Sequence, residues 1–132
     1  MRSLLARALR RAGFVVEAHA TGDGALLALA RRDTDVVLTD YQLPGVNGGA
    51  IGAEARRQGV PAVLVSATLD AIDDAERACF LRVLAKPFPL SELEEALEAL
   101  KTAALRKRSG VRPATVVVAP PGATKKTSDG KG

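Results

Sequence analysis

Short apolar runs alternate with helical stretches along most of the chain, and this alternation limits the possible folds more than any other feature. The runs are too brief for helices, and turn-forming residues close each of them. They cover residues 14–18, 36–38, 62–65 and 82–85. One helix precedes the first run, and another helix follows each run after a short connection. This order predicts an α/β fold, with a parallel sheet and helices on both of its faces.

Of the five predicted helices, the last has the clearest expected boundaries. The fourth is predicted over Asp70 to Phe80. The fifth has capping-box spacing at Ser91 and Glu94, followed by leucines on one face. It should end near Lys107, before a Ser-Gly pair.

The charge of the chain is unevenly distributed. Residues 1–100 hold 11 basic and 14 acidic residues, a net charge of −3, whereas residues 101–132 hold 8 basic residues and one acidic residue. Two interpretations of the basic C-terminal stretch stay open, a solvated linker and a contact with nucleic acid or an acidic partner. Of the two, the sequence favours the linker.

Cysteine and hydropathy exclude several classes of protein. Cys79 is the only cysteine, so no intrachain disulfide can form, and His19 is the only histidine, so a zinc cluster is not expected. No run of about 18 apolar residues is present, and the N-terminus has no signal-peptide pattern. We expect a single domain in the cytoplasm, with no membrane association.

Three polar side chains each follow a different predicted strand, namely Asp40, Ser66 and Lys86. The carboxyl ends of parallel strands share one edge of a sheet, where ligands bind in open α/β folds. A carboxylate, a hydroxyl and an ammonium group together suit phosphoryl transfer to Asp40. The alternative is structural, with Lys86 paired to Asp40 in a salt bridge and Ser66 capping the turn that follows it.

Three motifs in this order resemble those of the response-regulator receiver domain of bacterial two-component signalling. They are residues 39–45 (TDYQLPG) with Asn47-Gly48, residues 65–67 (VSA), and residues 86–88 (KPF). Each motif is weak alone, but the ordered set is specific, and the resemblance covers residues 1–107. It implies a flavodoxin-like, doubly wound sheet with strand order 2-1-3-4-5.

The resemblance also implies a role for each site residue. Asp40 would be the phosphoacceptor, Ser66 the switch hydroxyl, and Lys86 the phosphate-contacting lysine before a cis proline. The backbone carbonyl of Gln42 would be a ligand of Mg²⁺. The implied partners are a histidine kinase or phosphotransfer protein and a downstream output protein, and the domain itself would not be an enzyme.

Two departures from the family pattern stand out. The family's first strand, which ends in a pair of acidic Mg²⁺ ligands, is missing before the first helix. Because Mg²⁺ prefers six oxygen ligands, we expect metal binding and phosphorylation to be much weaker than in the family. In addition, Val83 stands where the family commonly carries an aromatic switch residue.

A missing central strand would leave two strand edges without hydrogen-bond partners. Thr115–Ala119 is the one unused strand-like segment, and we predict that it fills the gap, with Pro120 and Pro121 near the place of the acidic pair. Residues 108–121 would then be a linker plus the replacement strand, and residues 122–132 a disordered basic tail. Two alternatives stay open, a disordered tail on a fragment that starts upstream, and a homodimer in which the tails are exchanged.

Two functions follow from these expectations. The first is a phosphorelay receiver that switches partner binding when Asp40 is phosphorylated. The second is a phosphorylation-independent pseudo-receiver, a protein–protein interaction module, which the missing acids and Val83 favour. The sequence disfavours a third function, nucleic-acid binding, because only the charge of the tail supports it and the chain has no aromatic platform.

Overall fold

The computed structural model describes residues 3–107 and 114–119, with side chains for 6–106 and 114–119. The helices are α1 (Ser3–Arg11), α2 (Gly22–Ala30), α3 (Gly48–Gln58), α4 (Asp74–Arg77) and α5 (Leu90–Lys107). The strands are β1 (Val15–Ala18), β2 (Val36–Asp40), β3 (Ala62–Ser66), β4 (Arg82–Ala85) and β5 (Thr115–Ala119). No helix in the described part of the chain is long and apolar enough to cross a membrane.

The five strands form one parallel sheet in the order β1-β5-β2-β3-β4. The α/β, flavodoxin-like class is therefore confirmed. The predicted order 2-1-3-4-5 counts the family's first strand as strand 1. In this chain the strand at that place is the last one, β5, so the two orders differ in numbering. By position, β5 lies where the missing strand was expected.

The strand β5 is hydrogen-bonded on both sides. Val116 is in register with Val16 of β1 and with Val36 of β2, and the pairing continues along the strand. Its first amide, at Thr115, donates to Asp35 Oδ2 at 2.7 Å, which fixes the start of β5 beside the start of β2. The prediction that Thr115–Ala119 fills the central gap is thus confirmed, with the strand in the same chain.

The sheet is buried on both faces, which explains the continuous valine run of β5. Val116 and Val118 pack into a core with α1 and α5, whereas Val117 packs into a second core with α2 and α3. All three valines are fully buried. Because side chains alternate across a strand, only a strand that is apolar at every position suits a sheet covered on both faces.

Two predicted helix boundaries are wrong. The helix predicted over Asp70 to Phe80 is a single turn, because Asp73 caps it and Phe80 is already held by a tight turn to Arg77. The last helix begins at Leu90, so Ser91 lies inside its first turn and is not the N-cap. The capping box occurs instead at the start of α4, between Asp73 and Glu76.

Some predictions concern residues that the structure does not describe. The linker before residue 114, the placement of Pro120 and Pro121, and the disordered tail over residues 122–132 lie outside the described residues. The predicted domain limits therefore stay predictions.

Candidate functional site

The carboxylate of Asp40 is the centre of the candidate site. It lies at the carboxyl end of β2, and the residue is only 5% exposed. Lys86, which follows β4, places its Nζ atom 2.8 Å from Asp40 Oδ1. The sequence prediction that these two groups meet at one sheet edge is confirmed.

The two carboxylate oxygens of Asp40 have different surroundings. Oδ2 accepts a hydrogen bond of 3.1 Å from the backbone amide of Gln42. Oδ1 is ion-paired with the ammonium group of Lys86, whose Nζ atom lies 2.8 Å away. Each oxygen therefore has a partner of its own, a backbone amide for Oδ2 and a cation for Oδ1.

Ser66 lies at the same edge, but its hydroxyl is hydrogen-bonded to Thr68. The residue is 1% exposed, and its hydroxyl donates to the Thr68 carbonyl at 2.9 Å while accepting from the Thr68 amide at 3.1 Å. It thus caps the turn after β3, as the structural alternative expected. The backbone links it to the site, because its carbonyl accepts from the Lys86 amide at 2.9 Å.

The loop after β2 is held tightly against the strand end. Gly48 donates its amide to the Tyr41 carbonyl at 2.7 Å, and a Cβ at this position would stand 2.3 Å from the Asp40 carbonyl oxygen. Only glycine permits so close an approach of the two backbones. The Lys86–Pro87 peptide bond is cis, as predicted.

The sequence did not single out a second group of polar side chains beside the site. Tyr41, directly after the candidate acceptor, is 8% exposed, and its hydroxyl lies 3.1 and 3.2 Å from the two carboxylate oxygens of Glu76 in α4. Burial raises the pKa of the Tyr41 phenol, and the Glu76 carboxylate raises it further. The Asp73-x-x-Glu76 spacing is a capping-box signal that could have located this group.

The described residues do not fit a magnesium site of the predicted kind. Among them, no three His, Cys, Asp or Glu side chains stand together in a way that could hold a metal ion. Asp40 is the one carboxylate paired with Lys86 in that part of the chain, and the ammonium group repels a cation from Oδ1. The role of the Gln42 carbonyl as a ligand stays a prediction.

The comparison with protein families finds one match that covers most of the chain. Residues 1–98 match the family described as "Response regulator receiver domain".

Curated relatives agree with this match. The chain is 40% identical over 106 residues to the transcriptional regulatory protein TcrA of Mycobacterium tuberculosis, covering 76% of this chain and 41% of that protein. It is 37% identical to the transcriptional activator protein PfeR of Pseudomonas aeruginosa, covering 69% of this chain and 31% of that protein. The chain therefore spans less than half the length of either relative.

Solved structures show the same fold. The response regulator TrrA of Thermotoga maritima, in complex with Mg²⁺ and BeF, has a TM-score of 0.67 and 25% identity, covering 75% of this chain and 88% of that one. The receiver domain of a sensor histidine kinase of Pseudomonas aeruginosa, with a magnesium ion in its active-site cleft, has a TM-score of 0.56 and 28% identity, covering 75% and 87% of the two chains.

Proposed function

This chain belongs to the response-regulator receiver family, and we propose that it accepts a phosphoryl group on Asp40 and thereby switches the binding of a partner. One observation carries this proposal. A buried carboxylate at the end of a central strand has the Lys86 ammonium 2.8 Å from one of its oxygens, where the cation can neutralise the charge of a transferred phosphoryl group.

The chemistry is a displacement at phosphorus. A carboxylate oxygen of Asp40 forms a bond to phosphorus while the bond between phosphorus and the donor's leaving group breaks, and the leaving group keeps the electron pair. The product is an acyl phosphate on Asp40. The Lys86 ammonium neutralises charge on the transferred group, and Ser66 would have to leave Thr68 to donate to a phosphoryl oxygen.

Mg²⁺ has a smaller part in this proposal than it has in the family. The solved relatives hold the ion, but among the described residues of this chain no three His, Cys, Asp or Glu side chains stand together to bind it, and Asp40 faces an ammonium group. We therefore propose that phosphorylation is slow and depends only weakly on Mg²⁺. The phosphoryl donor would be a histidine kinase or phosphotransfer protein, and the receiver would act as an acceptor without turnover as an enzyme.

The alternative function is a pseudo-receiver that binds its partner without phosphorylation. A specific observation favours it, because the Ser66 hydroxyl has both of its hydrogen bonds with Thr68 and none with Asp40. Val83 adds to this, since it is an aliphatic residue where the family commonly has an aromatic ring.

Mass measurement separates the two functions. The protein is incubated with acetyl phosphate over a range of Mg²⁺ concentrations, and the intact mass of the wild type is compared with those of D40N and D33N. Asp33 is an exposed aspartate and serves as the matched control. A gain of one phosphoryl group in wild type and D33N, lost in D40N and removed by hydroxylamine, supports the relay. If no Mg²⁺ concentration produces a gain in the wild type, the chain is a pseudo-receiver.

A further inference from the structure

We propose that Tyr41 and Glu76 form a mechanical link that couples the state of the Asp40 carboxylate to the start of α4. The link concerns the site of the proposed function, but it is measurable in the protein without phosphorylation. In this proposal Tyr41 holds the Glu76 carboxylate in place, and it acts on α4 only through that contact.

The first part of the link is the backbone around Asp40. The Asp40 carboxylate accepts a hydrogen bond from the Gln42 amide, so this bond bridges the residues on either side of Tyr41. The Tyr41 carbonyl accepts a second hydrogen bond, from the Gly48 amide, at 2.7 Å. Both bonds fix the position of the Tyr41 backbone. A change in the charge or bonding of the Asp40 carboxylate therefore alters the turn that places the tyrosine.

The second part is the aromatic ring of Tyr41. It packs in a small core with Leu64 and Ile72, against which Phe80 and Val83 also pack. Val83 is in register with Leu64 on the neighbouring strand. The position on β4 contributes only a valine to this core, whereas Tyr41, in the segment after β2, contributes an aromatic ring.

The third part is the carboxylate of Glu76. It accepts from the Tyr41 hydroxyl at 3.1 Å and from the Asp73 amide at 3.2 Å, and the Asp73 side chain in turn accepts from the Glu76 amide at 2.7 Å. This single carboxylate therefore joins the segment after the acceptor to the capping box of α4. Charged hydrogen bonds of this kind are among the stronger ones in proteins.

Glycine at position 49 makes room for this arrangement. A Cβ on Gly49, in the first turn of α3, would stand 2.3 Å from Glu76 Oε2. The carboxylate thus lies against the N-terminal turn of α3, where the helix dipole favours negative charge. Replacing Gly49 by alanine should displace the Glu76 carboxylate without removing any group of the link.

Amide exchange of α4 tests the link directly. NMR-detected exchange is measured at Glu76, Arg77 and Ala78 in the wild type, Y41F, D40N and the double variant. Y41F keeps the ring but loses the hydroxyl, and we expect about tenfold faster exchange at these amides. We expect D40N to raise exchange about threefold in the wild-type background and to have no further effect in Y41F, because the link is already broken.

Further variants separate coupling from simple damage to the fold. Gln can accept from the Tyr41 hydroxyl, so E76Q should retain most of the protection of α4, whereas E76A and G49A should behave like Y41F. T102V removes an exposed hydroxyl on α5 and should change nothing at α4. Equal α4 exchange in wild type and Y41F would overturn the proposal, as would a D40N effect of the same size in both backgrounds. Phosphorylation of Asp40, measured separately by mass, tests only the proposed function.

Discussion

The carboxylate of Asp40 is buried, and Lys86 is its ionic partner. Among the described residues, the Lys86 ammonium is the only cation paired with this carboxylate, and Lys86 itself is 29% exposed. An ion pair of this kind adds little when intact, but removing one partner leaves an uncompensated charge inside the protein. Because Lys86 is partly exposed, removing its ammonium lets water reach the carboxylate, which lowers this cost.

We expect K86M to lower the free energy of unfolding by about 1–3 kcal/mol at pH 7. In a D40N background the loss should be smaller, since the asparagine leaves no uncompensated charge when the ammonium is removed. Urea unfolding followed by circular dichroism measures both values. The control is K101M, which alters an exposed lysine on α5 and should change stability by less than about 0.5 kcal/mol. A loss for K86M that is equal in the wild-type and D40N backgrounds would contradict the electrostatic explanation.

Secondary-structure elements differ in how well local sequence determines them. The strands and the order of elements followed from apolar runs and turn residues, because both faces of the sheet are buried. The fourth helix did not, since Asp70, Asp73 and Asp74 are all acceptable N-caps. The choice of Asp73 depends on Glu76, whose carboxylate also meets Tyr41 from another part of the chain. A contact between residues 35 positions apart is not visible in local sequence.

Within the strand β5, the buried valines should matter far more than an edge valine. Val117 is fully buried between α2, α3 and the sheet, whereas Val15 in β1 is 51% exposed. We expect V117A to cost about 2 kcal/mol, from the two lost methyl groups and the cavity that they leave. V15A, the matched control in a paired strand, should cost less than about 0.5 kcal/mol. Equal midpoints in urea for the two variants would show that β5 is not a core strand.

At the scale of the whole molecule, the last strand of the chain completes the centre of the sheet. The resemblance to the receiver family implied that the central strand was missing from its usual place. Because a parallel sheet cannot leave two interior edges unpaired, the one unused apolar segment was predicted to fill the gap. The sequence could not decide whether the strand comes from the same chain or from a second copy, since the pairing pattern is identical in both. In the described structure, β5 pairs with β1 and β2 of its own chain.

Monomeric protein should therefore protect the amides of β5 as strongly as the rest of the core. The amides of Val116, Val117 and Val118 lie in a parallel strand with a paired neighbour on each side, so they should exchange only when the sheet opens globally. Hydrogen exchange on material shown to be monomeric by light scattering measures this, with the amides of Val63 and Leu64 in β3 as an internal reference. A midpoint of thermal unfolding that is independent of protein concentration should accompany the protection, because no subunit is released on unfolding. Rapid exchange at the three valines, or a midpoint that rises with concentration, would instead show that the strand is not held within one chain.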